Sequence, residues 1–180
     1  MISPVFSYST FAEDVLRLLD LLNVSRVSIV GWSDGAITGL QLAISKPERV
    51  DKLFAFGANI SPEGLKPNGG KSHVFRLFAD WCRKEYSLLS PHPERWQQLV
   101  DNLRPMWRKE PNFDWQMLRN ITLPVAILYA EHDEIIKREH SERIADELSN
   151  SKFVLLPNVS HFALLQDSSR FNNEMIKFLM

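Results

Sequence analysis

Val27-Ser28-Ile29-Val30-Gly31-Trp32-Ser33-Asp34-Gly35 passes within nine residues from a short β-branched run to a Gly-x-Ser-x-Gly pentapeptide. Val27 to Val30 is mostly apolar and bounded by Gly31, the mark of a buried strand in a parallel sheet. The stretch from Gly35 to Ser45 is apolar, with small residues at Gly35, Ala36 and Gly39, and Pro47 stops it, so it reads as a helix packed closely on a neighbour. A glycine-flanked serine between a strand and a helix is a far stronger signal than the same pentapeptide in a loop, where it is only a turn. The glycines permit a tight turn that exposes the Ser33 hydroxyl. The Asp34 N–H and the helix N-terminus then face any oxyanion that develops there. A serine hydroxyl is a poor nucleophile near neutral pH, so it needs a base to take its proton and a carboxylate to orient that base.

Working outward, strands are also expected at Leu53–Phe56, Val125–Tyr129 and Phe153–Leu156. Of the five histidines only His161 lies just beyond a strand and before a final helix, which holds Phe171, Met175, Ile176 and Leu179. His73 and His92 fall in an irregular middle region, and His140 reads as part of a polar helix face between about Lys137 and Leu148. The acid belongs after the preceding strand, where Ala130-Glu131-His132-Asp133-Glu134 offers three carboxylates. Asp133 is the expected partner of His161, with Glu131 and Glu134 read as solvated. The order serine, acid, histidine spans 100 residues and then 28, room for an insertion in the first interval and one helix plus one strand in the second.

Before this unit, Thr10 and Glu13 are spaced as a capping box, and Phe11, Val15, Leu18, Leu19 and Leu22 recur at helical spacing to about Asn23. Strands alternating with helices imply right-handed crossovers and a mostly parallel sheet covered on both faces. Ser61 to Asn120 breaks the rhythm: a Pro67-Asn68-Gly69-Gly70 turn leads to helical patterns over Val74–Leu89 and Glu94–Arg108, with no strand signal. Trp81, Trp96, Trp107 and Trp115 in this insertion can line an apolar pocket or form the core of a small helical unit.

Composition narrows the function classes. The chain has 180 residues, 44% hydrophobic and 24% charged, and a formal net charge of −1 with scattered Lys and Arg, so nothing points to nucleic acid or an anionic membrane as partner. Met1 to Ser7 lacks the pattern of a leader, and no run approaches a membrane span. With a single cysteine, Cys82, the chain is expected to be soluble and cytoplasmic. No metal or nucleotide motif is present, so no cofactor is expected.

From about Tyr8 to the C-terminus these segments resemble the α/β-hydrolase superfamily, serine-nucleophile branch. Gly-Trp-Ser-Asp-Gly is similar in particular to the biphenyl-hydrolase-like, or valacyclovir-hydrolase-like, esterases. The resemblance implies a three-layer α/β fold in which the strand before Ser33 is the fifth of eight. Residues 1–60 and 121–180 form the core, and residues 61–120 form a helical cap over the active site. It also places Asp133 and His161 at the acid and base positions. The expected activity is acyl transfer on a small ester or amide, with Ser33 as nucleophile, His161 as base, Asp133 as acid and the Asp34 N–H in the oxyanion hole. Trp32, Asp34, Trp81 and Phe162 are the expected substrate contacts. Serine rather than aspartate in the turn disfavours the dehalogenase and epoxide-hydrolase branches, while a cofactor-free perhydrolase or haloperoxidase activity stays open.

The family's first four strands, and the loop that donates its second oxyanion N–H, have no counterpart before Tyr8, so an N-terminally truncated version of the fold is expected. Its third strand would lie beside the fifth, which leaves Val27–Val30 as an open edge where a second copy or another chain can pair. Losing one oxyanion donor costs about 10²–10³ in turnover. A non-catalytic or partner-dependent remnant is therefore the rival reading. The Asp34 carboxylate has two readings as well: it meets the ammonium of an amino-acid ester, or it faces solvent or a neighbouring helix.

Overall fold

The computed structural model describes residues 6–180; the reading of Met1 to Val5 as free of a leader lies outside the described residues. The first helix, α1 (Tyr8–Leu21), is capped by Ser7, three residues before the expected cap Thr10. Ser7, in an extended conformation, accepts the Thr10 N–H through its side chain at 3.0 Å, and Thr10 Oγ1 accepts the Ser7 N–H at 3.0 Å. Thr10 thus closes the box from the third helical position rather than opening one with Glu13, which is exposed. The apolar stripe is rotated to match. Tyr8 and Ala12 are buried and Phe11, Val15 and Leu16 pack on the core, whereas Leu18 and Leu22 of the expected stripe are exposed.

Four strands follow, β1 (Val27–Trp32), β2 (Val50–Phe56), β3 (Val125–Ala130) and β4 (Ser151–Leu156), each longer than its sequence signal by one to three residues. They pair in chain order and all in parallel, with β3 buried along its whole length. The remaining helices are α2 (Asp34–Ser45), α3 (His73–Leu89), α4 (Trp96–Lys109), α5 (Trp115–Arg119), α6 (Arg138–Glu147), α7 (Ala163–Gln166) and α8 (Ser168–Leu179). Side-chain alternation along the strands divides the core in two. Leu53, Ala55, Val125 and Ile127 face α1, α2 and α6, while Phe54, Phe56, Ala126 and Leu128 face α8 through Phe171, Met175 and Phe178. Helices on both faces of a parallel sheet make the three layers of an α/β-hydrolase fold.

Among the described residues β1 pairs only with β2, so one edge is open. Val30, on the α8 side, is 44% exposed, and a groove of about 370 Å³ lined by Phe11, Val15, Ile29, Gly35, Thr38 and Leu42 runs beside β1 on the other side. Between β2 and β3 lie α3, with no buried residue, and α4, with Met106 alone buried. An isolated antiparallel bridge, Leu65 to Ile136, fastens the start of this segment to the loop after β3.

Candidate active site

Three strand ends supply the site. Ser33 follows β1, and its N–H donates to the Phe56 carbonyl of β2 at 2.9 Å. Its backbone sits at φ 53°, ψ −121°, a positive φ that side-chain-bearing residues rarely adopt. Gly31 makes this possible, because a Cβ there would stand 2.6 Å from Ala36 Cα and from the Gly35 carbonyl. Gly35 has nothing within 4 Å of a notional Cβ, so only one of the two flanking glycines is required sterically.

Asp133 follows β3 and is 1% exposed; its Oδ1 accepts the N–H groups of Ile135 and Ile136, each at 2.8 Å, which fixes the carboxylate plane. Its Oδ2 stands 2.9 Å from His161 Nδ1, and His161 Nε2 stands 3.0 Å from Ser33 Oγ. A carboxylate at Nδ1 accepts that nitrogen's proton in a hydrogen bond, leaving the Nε2 lone pair for the serine hydroxyl. His161, after β4, is 2% exposed. Beside it Gly57, at φ 67°, leaves room for the ring, since a Cβ there would fall 2.6 Å from Cε1.

Several neighbours were not legible. Glu134, expected in solvent, accepts the His161 N–H through Oε2 at 3.1 Å, and its Oε1 is buried without a hydrogen-bond partner among the described residues. Adjacent acids therefore grip one histidine by its ring and its main chain. Glu131 is exposed as expected and accepts the Asn158 N–H. Lys66 Nζ donates to the Asp133 carbonyl at 2.6 Å and lies 3.4 Å from the Tyr129 hydroxyl, whose pKa burial pushes up. His140 does not belong to a polar face. It is half-buried, its Nε2 accepts the Ile60 N–H at 3.1 Å, and its ring lies 5.7 Å from that of Trp115.

Of the expected substrate contacts, Trp32, Phe162 and Trp81 join one aromatic wall. The Trp32 ring lies 5.7 Å from Phe162 and 5.3 Å from Phe78, which in turn lies 4.8 Å from Phe162 and 5.8 Å from Trp81. Trp32 Nε1 donates to the His161 carbonyl at 2.8 Å. Phe78 was missed, although Phe75, Phe78 and Trp81 recur every three residues along one side of α3. The other tryptophans lie elsewhere: Trp96 packs on Tyr86, and Trp115 lies under the Arg143 guanidinium, 3.9 Å from the ring. The Asp34 carboxylate faces neighbouring helices, accepting from the Tyr8 hydroxyl at 2.7 Å and Trp107 Nε1 at 2.9 Å. Its N–H opens α2 and so has no partner within that helix.

The sequence profile of the Alpha/beta hydrolase family matches residues 2–174. The chain belongs to the alpha/beta hydrolase family. It is similar to serine hydrolase BPHL of Mus musculus, with 27% identity over 93% of this chain and 60% of that protein. Human serine hydrolase BPHL is also 27% identical, over 98% of this chain and 62% of its own length, so the chain spans about 60% of these relatives. Among solved hydrolases, the fold matches the meta-cleavage product hydrolase CumD from Pseudomonas fluorescens IP01. The TM-score is 0.78 at 16% identity, covering 99% of this chain and 74% of that one.

Proposed function

We propose that the chain carries the catalytic residues of a serine hydrolase that cleaves a small ester or amide through an acyl-enzyme. The observation that supports this most is the unbroken hydrogen-bonded series Ser33 Oγ, His161 Nε2, His161 Nδ1, Asp133 Oδ2, with separations of 3.0 and 2.9 Å. In this reading Ser33 attacks the carbonyl as His161 takes its proton, and Asp133 stabilises the imidazolium that forms. The Asp34 N–H receives the oxyanion. His161 then returns the proton to the leaving group, and water, activated by the same imidazole, releases the acyl group from Ser33. The aromatic wall of Trp32, Phe78, Trp81 and Phe162 favours an apolar acyl or leaving group, and residues 61–120 act as the cap that carries part of it. A cytoplasmic setting fits the single unpaired thiol of Cys82.

The open edge of β1 supports a second reading, in which the site needs another chain or segment to complete its wall. Hydrolysis of short p-nitrophenyl esters and labelling by a fluorophosphonate, each compared with Ser33→Ala, tests the first. Activity and labelling that both require Ser33 are expected; ester turnover that survives Ser33→Ala would refute it. Labelling at Ser33 without turnover would favour the second reading.

A further inference from the structure

Asp34 is adjacent to the proposed nucleophile, and its carboxylate is the meeting point of two helices distant in sequence. Tyr8, at the start of α1, donates its hydroxyl to Oδ1 at 2.7 Å, and Trp107, in the last turn of α4, donates its indole N–H to Oδ2 at 2.9 Å. The same helix ends are joined again where the Tyr8 N–H donates to Glu110 Oε2 at 3.0 Å, just past α4. Tyr8 is 2% exposed, and burial with the Asp34 charge beside it pushes the phenol far above its ordinary pKa, so it stays a donor. Inside α2, the Asp34 carbonyl accepts Thr38 Oγ1 at 2.7 Å. Charge-assisted bonds of this length are the strong ones, and a carboxylate at the first residue of a helix also meets the favourable end of its dipole.

We infer that Asp34 is a positioning residue: its side chain latches α4 and α1 to the Ser33 turn and is not a receptor for a cationic acyl group. The segment between β2 and β3 is then held at both ends, by the Leu65–Ile136 bridge before α3 and by the Asp34 latch at the end of α4, while α3, which has no buried residue, carries the aromatic wall between them. An ammonium seeking Asp34 would have to compete with two internal donors, so the acyl group this site selects is uncharged. This specificity rests on the serine-hydrolase reading; the latch itself does not.

Both parts are separable by experiment. In protein labelled with ¹⁵N-tryptophan, the Trp107 indole signal is identified by its loss in Trp107→Phe. Asp34→Asn is expected to move that signal and speed its exchange with water, leaving the Trp32 indole, bonded to the His161 carbonyl, unmoved. Tyr8→Phe, which spares both partners, is expected to move it less and in the same direction. In the ester assay, Asp34→Asn and Trp107→Phe are each expected to lower kcat about tenfold on p-nitrophenyl butyrate and on a p-nitrophenyl amino-acid ester alike, with KM nearly constant. A Trp107 signal unmoved in both Asp34→Asn and Tyr8→Phe overturns the latch. A loss confined to the amino-acid ester in Asp34→Asn, with Trp107→Phe unimpaired, overturns the assignment in favour of substrate pairing. Indole signals that respond as expected in a protein that neither turns over esters nor is labelled at Ser33 by the fluorophosphonate would uphold the latch while removing the hydrolase reading.

Discussion

His140 accepts the Ile60 N–H through Nε2, which only the neutral ring can do. Its pKa is lowered from the ordinary 6.5, first by burial and then by Lys137 and Arg143, against smaller opposing effects of Glu139 and Glu63. The folded protein therefore binds this proton less readily than the unfolded chain. The contribution to stability is complete above the unfolded value near 6.5 and declines as pH falls from there towards the lowered folded value. Urea midpoints measured between pH 7.5 and 5 should fall more steeply in the wild type than in His140→Gln, which keeps an acceptor for Ile60 and cannot titrate. Parallel slopes would show that the ring is not coupled to folding. At this scale Ser33, Asp133 and His161 were legible because each terminates a strand signal in a fixed chain order. His140 and Glu134 were not, because polar residues in a charged stretch read as solvated and their partners, Ile60 and His161, come from distant segments. Gly35 erred the other way, since sequence pattern assigns both flanking glycines one role and only Gly31 meets an obstacle.

Among the elements, α1 depends on the Ser7 and Thr10 pair. Ser7→Ala should cost about 1 kcal/mol in chemical denaturation, and Glu13→Ala only a few tenths. The reverse ranking would restore the box expected from Thr10 and Glu13. The error has a physical origin: Ser, Thr and Glu all satisfy the box chemically, and two overlapping frames were available within seven residues. Choosing between them requires knowing that Tyr8, rather than Leu18, faces α2. Helices α3 and α4 were legible to within two residues because their periodicity is strong. The pairing of Trp107 with Asp34 was not, because an indole N–H carries no local sign of a partner 73 residues away.

For the molecule as a whole, the parallel direction of the strands followed from alternation of strand and helix signals, whereas their order in the sheet has no local sign in the sequence. The open flank of β1 lacks two of the usual protections of an edge, since Val27 to Trp32 contains no charge and no proline. Sedimentation velocity should reveal concentration-dependent association of the chain, and Val30→Lys should suppress it while leaving thermal unfolding nearly unchanged, because Val30 is already 44% exposed. Association undiminished by Val30→Lys would locate the contact elsewhere.

The hydrogen bond from Ser33 to His161 joins residues 128 apart, and β4 is the last strand of the sheet. During synthesis the serine turn precedes its proposed base, which follows only after β2, β3 and β4 have been made, about 6–26 s later at ordinary elongation rates. Ser33 is thus made before the group proposed to activate it. On the proposed reading this hydroxyl lacks its general base until β4 has been made, so acquisition of nucleophilicity would coincide with completion of this sheet.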